Sequence, residues 1–230
     1  MEIQTKFHPI LFSTPMVLAI LEGRKTQTRR VVKPQPDYFI NCVEGKPLSI
    51  GLSGSGEFYG TVTNGIDKSI CAPYNVGDVL WVRENFYTAS NWDHWKPSML
   101  KSVNVEVFYA ADLPNYDISR PLSRGIIRPC IFLPFEYSRI FLKIKSIKVE
   151  RLQDISEEDA IAEGVEKIAD YGTTGYRLYT EPEASYSDID AISSFESLWQ
   201  SINGKESLAL NPFVWVYEFE QIEKPNDFIV

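Results

Sequence analysis

The chain has 230 residues, 44% of them hydrophobic, and carries a formal net charge of −8. A chain of this length and composition can bury a sizeable core, whereas its acidic balance excludes a protein that coats nucleic acid through many neutralised phosphates. No apolar run approaches the roughly twenty residues that a membrane span requires, and the first residues lack a secretory pattern, so we expect a cytoplasmic protein without a membrane partner.

The first predicted elements are a strand and a short helix. The apolar run from Pro9 to Phe12 is typical of a strand. Ser13 and Thr14 offer hydroxyl groups for an N-cap, and a proline follows at the first helical position, where its missing N–H costs nothing. We therefore expect an apolar helix that ends at Gly23 in the left-handed conformation.

A basic segment follows this glycine and contains no acidic residue as far as Pro36. Successive side chains of a strand point to opposite faces, and neither face is apolar here. One face would carry Arg24, Thr26, Thr28 and Arg30, and the other Lys25, Gln27 and Arg29. These charges need water, an acidic partner or a ligand.

The charge of the chain is unevenly distributed. Between Glu150 and Glu206 acidic residues outnumber basic ones by about ten. A small basic cleft in an acidic body suits one nucleotide or a short nucleic-acid strand.

The middle of the chain alternates irregular stretches with one clear strand. Residues 37–75 are rich in glycine and serine and predict a long loop or hairpin insertion, and residues 110–135 predict a second irregular insertion. Val79 to Val82 form an apolar run typical of a buried central strand, which Arg83 and Glu84 end. The loop from Tyr87 to Trp95 is expected to pack onto the core, although its tryptophans could stack on a base.

Further strands and helices are predicted in the rest of the chain. Strands are expected at Val103 to Tyr109, Ser138 to Val149 and Phe213 to Ile222. A helix should start at Ser156 in a capping-box pattern and stop at Gly164, and another should run from Ile189 to Ile202 before Asn203-Gly204. No internal repeat or second domain is evident, so we expect one mixed α+β domain built on a curved sheet or barrel.

The cysteines and histidines do not indicate a disulfide framework or a metal site. Cys42, Cys71 and Cys130 are widely separated and odd in number, and His8 and His94 are the only histidines. No Cys-x-x-Cys or His-x-x-x-His spacing joins them. We therefore expect no metal and no cofactor.

The basic segment also resembles a family signature. Gly23-x-Lys25-x-x-Thr28-x-Arg30 resembles the glycine-x-lysine-x-x-(glutamate or threonine)-x-arginine signature of ASCH domains, small β-barrels of the PUA-like superfamily. Further segments, in the same order, are similar to ASCH-like proteins of phage and prophage genomes: residues 10–16, 77–84, 149–155 and 215–219. The resemblance implies one PUA-like domain over residues 1–230, a curved sheet or pseudo-barrel with flanking helices and with insertions near 37–75 and 110–135.

The resemblance also implies a chemistry. In the ASCH amidohydrolases that remove the acetyl group from N4-acetylcytidine, a lysine, a threonine and a glutamate are the proposed catalytic set. Lys25 and Thr28 match the first two by motif position, and Glu84 is our candidate for the third by order along the chain. Thr28 would attack the acyl carbon, with Lys25 as base if burial or Arg24 and Arg29 lower its pKa. Lys25 and Thr28 fall on opposite faces of an ideal strand, so this interpretation needs a bulge or an irregular start.

Three hypotheses remain open. The first is an amidohydrolase acting on an acylated nucleobase or nucleoside. The second is an RNA-binding or modified-base-reading module without chemistry, in which arginines hold phosphates and Trp81 or Trp92 stacks on a base. The third is a phage accessory protein whose acidic helices dock a partner. The expected ligand is a nucleoside, a nucleotide or short RNA, and the expected ligand-binding residues are Ser13, Thr14, Arg24, Arg29, Arg30, Trp81 and Arg83. We also expect Arg24, Lys25, Arg29 and Arg30 to rim one positive patch, partly balanced by Glu84.

Overall fold

The computed structural model describes residues 5–36, 38–39, 42–43, 46–47, 57–62, 66–113, 123–170, 173–181 and 189–228. Over these ranges the fold is mixed α+β, with a five-stranded mixed sheet and few helices. This confirms the coarse prediction of a mixed α+β fold. No helix within the described ranges is long and apolar enough to span a membrane.

The strands in chain order are β1 (Phe7–Leu11), β2 (Gln27–Val31), β3 (Tyr38–Phe39), β4 (Cys42–Val43), β5 (Lys46–Pro47), β6 (Glu57–Val62), β7 (Ile66–Cys71), β8 (Val79–Arg83), β9 (Phe86–Tyr87), β10 (Phe108–Tyr109), β11 (Phe141–Arg151), β12 (Lys167–Asp170), β13 (Thr173–Tyr176) and β14 (Phe213–Ile222). The α-helices are α1 (Thr14–Leu21), α2 (Glu157–Ala162) and α3 (Ala191–Asn203). Short 3-10 turns lie at Ser90–Trp92, Pro97–Met99, Lys101–Val103, Ala110–Asp112, Cys130–Phe132, Phe135–Tyr137, Leu152–Asp154 and Lys205–Ser207. The five-stranded sheet has the order β1-β8-β11-β14-β2.

The chain divides into two compact units, each assembled from segments that are distant in sequence. The first comprises Met1–Leu21, Asp78–Lys143 and Gln221–Val230, and the second comprises Glu22–Gly77 and Ile144–Glu220. Strand β11 begins in the first unit and continues in the second.

The first unit is organised around β8. This strand pairs in parallel with β1, with Phe7 opposite Val79, and antiparallel with the start of β11, where Phe141 lies opposite Trp81. Val79 to Val82 are all buried, as expected of a strand covered on both faces, which confirms the predicted central strand. Trp81 packs in an aromatic cluster whose other members include Phe7, Phe135, Phe141 and Phe228.

Helix α1 begins and ends close to the predicted positions. The backbone N–H of Val17 donates to the carbonyl of Ser13 over 3.0 Å, so Ser13 stands at the N-cap. The helix is apolar nearly throughout, and Met16 and Ile20 are among its buried residues. It ends at Leu21, and Gly23 has a φ of 73°, the left-handed conformation that glycine accepts without strain.

The second unit contains β2, β14 and most of β11. Strand β14 pairs antiparallel with β2, from Val31 opposite Val214 to Gln27 opposite Glu218. Strand β14 has the predicted bounds, whereas β11 starts three residues later than predicted and runs on to Arg151.

The two predicted helices of the second unit are confirmed. The Ser156 hydroxyl accepts from the backbone N–H of Asp159 at the start of α2, as a capping serine should. Asp190 caps α3 in the same way, and Gly204 follows α3 with a φ of 91°. The apolar stripe of α3, which includes Phe195 and Trp199, is buried.

The predicted strand from Val103 to Tyr109 is wrong over most of its length. Lys101–Val103 form a 3-10 turn, and only Phe108–Tyr109 pair as a strand. The cause is Asn104, whose φ of 49° is left-handed and turns the chain after Val103. Val105 is then buried in a cluster with Phe86, Leu100 and Leu133.

The two predicted insertions are described only in part. Strands β6 and β7 pair as an antiparallel hairpin within residues 37–75, while the glycine-rich run at 51–56 lies outside the described residues. Residues 123–135 contain isolated bridges at Arg124 and Arg128 and a 3-10 turn at Cys130–Phe132, and a second 3-10 turn begins at Phe135. The second insertion stays a prediction. The loop before it packs as expected, since Trp92 and Trp95 lie against the Phe86 cluster.

Candidate active site

Lys25 is placed by a backbone contact with the end of α2. Lys25 and Glu163 form an isolated antiparallel bridge, and the N–H of Thr26 donates to the carbonyl of Ala162 over 2.9 Å. Gly164, with a φ of 87°, then turns the chain away from the helix. Lys25 therefore lies in an irregular lead-in to β2, outside the regular strand that begins at Gln27.

The side chains of Lys25 and Glu163 also meet. Nζ of Lys25 donates to Oε2 of Glu163 over 2.7 Å and to the backbone carbonyl of Glu163 over 2.8 Å. Only 2% of the Lys25 side chain and 5% of the Glu163 side chain are exposed. Burial lowers the pKa of Lys25; Glu163 opposes this shift, and the positive charges of Arg30 and Arg29 add to it.

Arg29 is the centre of a buried ion network. Its guanidinium donates to carboxylates in three directions: Glu150 on β11, Asp159 on α2 and Glu163 at the end of α2. Its side chain is fully enclosed. Burial alone would lower the pKa of Arg29, but Glu163, Glu150 and Asp159 together outweigh it and raise the pKa.

Lys148 on β11 completes this network. Nζ of Lys148 lies 2.6 Å from Oδ2 of Asp159 and 3.2 Å from Oε2 of Glu150. Three basic side chains, Lys25, Arg29 and Lys148, thus face three carboxylates. Buried charges need such pairing, because an isolated one would be strongly destabilising.

Thr28 and Arg30 lie on the opposite face of β2 from Arg29. Thr28 is 1% exposed and pairs in register with Tyr217, while Arg30 pairs with Trp215. Directly opposed residues of antiparallel strands place their side chains on the same face, so Thr28, Arg30 and Tyr217 share one. Burial lowers the pKa of Arg30, and the charge of Glu163 opposes this, as do Tyr74 and Tyr217. Arg30 therefore interacts electrostatically with the Glu163 carboxylate and with the two tyrosines.

Arg24 stays near the surface. Its guanidinium donates to the carbonyl of Gly164 over 2.7 Å and pairs with the exposed carboxylate of Glu22. The expectation that four basic side chains rim one positive patch is wrong for Lys25 and Arg29, because both are buried in ion pairs.

The remaining candidate residues belong to the first unit. Nε and Nη2 of Arg139 bind the Glu84 carboxylate over 2.9 and 3.0 Å. Burial raises the pKa of Glu84, against the effect of Arg139. Arg83 stacks over the ring of Trp81, with 4.7 Å from its Cζ to the ring centroid, and Trp81 is 1% exposed in the core.

Ser13 and Thr14 have local structural contacts. The carbonyl of Ser13 accepts the first helical hydrogen bond of α1, and Oγ1 of Thr14 accepts from the Asn85 amide over 3.2 Å. Their role as ligand contacts stays a prediction.

The acidic partners of the basic segment could not be named from the sequence alone. An acidic partner was one of three possibilities for that segment, and the structure supplies Glu150, Asp159 and Glu163. A signal was present, because Asp159 and Glu163 are four residues apart and so share a face of one helical turn. For Tyr217, the sequence indicated only a position in an apolar strand and no functional role.

Comparison with protein-family models, curated proteins and solved structures found no match for the chain. The described residues hold no group of three or more His, Cys, Asp or Glu side chains that could bind a metal ion.

Proposed function

We propose that this protein is an amidohydrolase that removes an acyl group from an acylated cytidine-type nucleobase or nucleoside. The observation that carries the proposal is the buried amine of Lys25, which Glu163 holds in place. Lys25 precedes the buried Thr28 by three residues. The resemblance to the ASCH signature, with threonine in place of glutamate, supplies the substrate class. A PUA-like fold over the whole chain is part of the same proposal.

The environment of Lys25 suits a general base. A lysine can take a proton only in its neutral form, and burial lowers the pKa of Lys25 toward that form. In its neutral form the Lys25 amine can still donate to Glu163, and its lone pair is the group that takes up a proton.

The reaction would proceed in two steps through an acyl-threonine. Lys25 takes the proton of the Thr28 hydroxyl as Oγ1 bonds to the acyl carbon, and the carbonyl electrons move onto the acyl oxygen. When the carbonyl reforms, the carbon–nitrogen bond breaks and Lys25 returns its proton to the departing exocyclic nitrogen. Water, with Lys25 again as base, then cleaves the threonine ester to give the carboxylic acid and the free hydroxyl.

In this proposal Glu163, in place of Glu84, is the glutamate that accompanies Lys25 and Thr28. It contacts Lys25 directly, whereas the carboxylate of Glu84 is bound by Arg139. Glu163 does not react; it positions the amine and stabilises the lysine when it becomes charged. Arg29 in turn holds Glu163 through Oε1 over 3.0 Å.

A module that only binds phosphates would be expected to expose the cations of its basic segment. The enclosed Arg29 and Lys25 instead favour a function that needs a desolvated amine. Hydrolysis therefore accounts for the burial better than phosphate binding does.

The test is turnover of N4-acetylcytidine, with N4-benzoylcytidine and unmodified cytidine alongside, followed by chromatography of the nucleoside and assay of the released acid. We expect equal amounts of free cytidine and acid from each acylated substrate. Absence of product with purified, folded protein would overturn the proposal.

A further inference from the structure

Tyr217 has a buried hydroxyl group whose hydrogen atom has no acceptor among the described residues. The residue lies in β14 and is 0% exposed. The hydroxyl donates to no residue that the structure describes, and the backbone of Tyr74 is the group within reach of its oxygen. Buried hydroxyl groups are nearly always satisfied, because an unsatisfied one loses its hydration without compensation. Seven buried side-chain nitrogen and oxygen atoms of the described residues lack a hydrogen-bond partner, and the Tyr217 hydroxyl is the one hydroxyl group among them.

This hydroxyl belongs to the same face as the proposed nucleophile. Tyr217 is the direct register partner of Thr28, and Arg30 follows two residues after Thr28 on that face. The Tyr74 ring lies 5.1 Å from the Tyr217 ring, centroid to centroid. The positive charge of Arg30 acts on Tyr217 and Tyr74 as well as on Lys25.

We infer that the Tyr217 hydroxyl, assisted by the positive charge of Arg30, binds the oxygen of the acyl group that Thr28 attacks. This inference rests on the proposed function and adds the group that stabilises its transition state. As Oγ1 of Thr28 bonds to the acyl carbon, the carbonyl oxygen gains negative charge, and the tyrosine donates a hydrogen bond to it without giving up its proton. The oxygen returns to a carbonyl when the bond to nitrogen breaks.

The chemistry of Tyr217 suits a donor that stays protonated. Burial and the charge of the Tyr74 side chain raise the pKa of Tyr217, against the effects of the Tyr74 backbone and Arg30, so the hydroxyl keeps its proton at neutral pH. A preorganised neutral donor beside a cation is the arrangement that stabilises a developing oxyanion. In the free protein this donor has no described acceptor, and the acyl oxygen would supply one.

The variant that tests this is Tyr217→Phe, which removes only the hydroxyl. We expect kcat/KM for N4-acetylcytidine to fall by about 100-fold, as for loss of one oxyanion donor. The thermal midpoint should be unchanged or higher, because no protein hydrogen bond is lost. A merely structural tyrosine would give the reverse, a lower midpoint with kcat/KM intact.

Tyr109→Phe is the matched control. The Tyr109 hydroxyl is satisfied, since it donates to the carbonyl of Tyr137 over 2.6 Å. Its loss should lower the thermal midpoint and leave kcat/KM unchanged. Wild-type kcat/KM in Tyr217→Phe would overturn the inference while leaving the proposed hydrolysis standing.

A binding measurement separates the inference from the proposed function. Calorimetry with N4-acetylcytidine and cytidine should show tighter binding of the acetylated ligand, and Tyr217→Phe should abolish that difference. If the wild type shows this difference without turnover, hydrolysis is refuted and Tyr217 remains the acyl-oxygen ligand. If neither turnover nor an acetyl-dependent difference is found, both are overturned.

Discussion

Lys25 and Glu163 are joined three times: by a backbone bridge, by a contact from Nζ to the carboxylate and by a contact from Nζ to the backbone carbonyl. The last contact sets the Lys25 amine beside the C-terminal end of α2, where it donates to a backbone carbonyl. The amine is therefore fixed by groups that do not depend on a substrate. This preorganisation underlies the predictions that follow.

Thr28→Ala and Lys25→Met should each abolish turnover of N4-acetylcytidine and leave the fold intact. Their effects should not add, because a nucleophile and its base act as one unit. Thr28→Ser should keep part of the activity, since the hydroxyl survives. Steady-state kinetics and circular dichroism are the measurements. The matched controls are Thr26→Ala and Lys145→Met, which change exposed side chains and should retain wild-type rates. Full activity in Thr28→Ala would exclude Thr28 as the nucleophile.

The pH dependence of kcat/KM should report the protonation of the Lys25 amine. The neutral amine is the active form, so the rate should rise with pH and level off above the pKa of Lys25, which burial holds below its ordinary 10.5. Glu163 raises this pKa, so Glu163→Gln should move the rising limb to lower pH. Glu84→Gln is the control, because Glu84 pairs with Arg139, and it should leave the limb in place. A limb that moves equally in both variants would contradict the assignment of Glu163.

Arg29→Met should be among the most destabilising single changes in the second unit. It leaves Glu150, Asp159 and Glu163 short of a buried cation, and breaking such a pair costs about 3–5 kcal/mol. Urea unfolding measures the difference. Lys145→Met, which removes an exposed pair with Glu218, should change the free energy of unfolding by less than about 1 kcal/mol. Comparable losses in the two variants would show that the network contributes little.

Acid should weaken the network through Asp159. Burial alone would raise the pKa of Asp159, but the hydrogen bond from Lys148 and the charge of Arg29 help to lower it below 3.8. A lowered folded-state pKa gives stability that is present above the unfolded value and is lost as pH falls through the folded one. Asp159→Asn should therefore cost stability at pH 7, and the cost should shrink below about pH 4. A cost independent of pH would contradict the linkage.

The sequence predicted the elements whose signals are local. The caps at Ser13, Ser156 and Gly204 and the apolar run at Val79 all lie within a few residues of the element they define, and all were found. The strand predicted at Val103 failed, because Asn104 in a left-handed conformation interrupts the alternating pattern.

Only the residues of the basic segment in the candidate site could be predicted from the sequence. Lys25 and Thr28 follow from a signature, but their partners Glu163 and Tyr217 lie 138 and 189 residues further along the chain. Local patterning carries no information about such pairing. The burial of Arg29 could not be foreseen for the same reason. A basic strand with distant acidic partners looks, in sequence, like a surface cleft.

The three-way contact of Arg29 has a consequence for how this chain tolerates substitution. A planar guanidinium reaches three carboxylates at fixed angles, which an ammonium group cannot do, so lysine is not a conservative replacement at this position. Positions 29, 150, 159 and 163 are thus mutually dependent, and a change at one alters what is acceptable at the others. Variants of this protein should exchange these four residues together or keep them all.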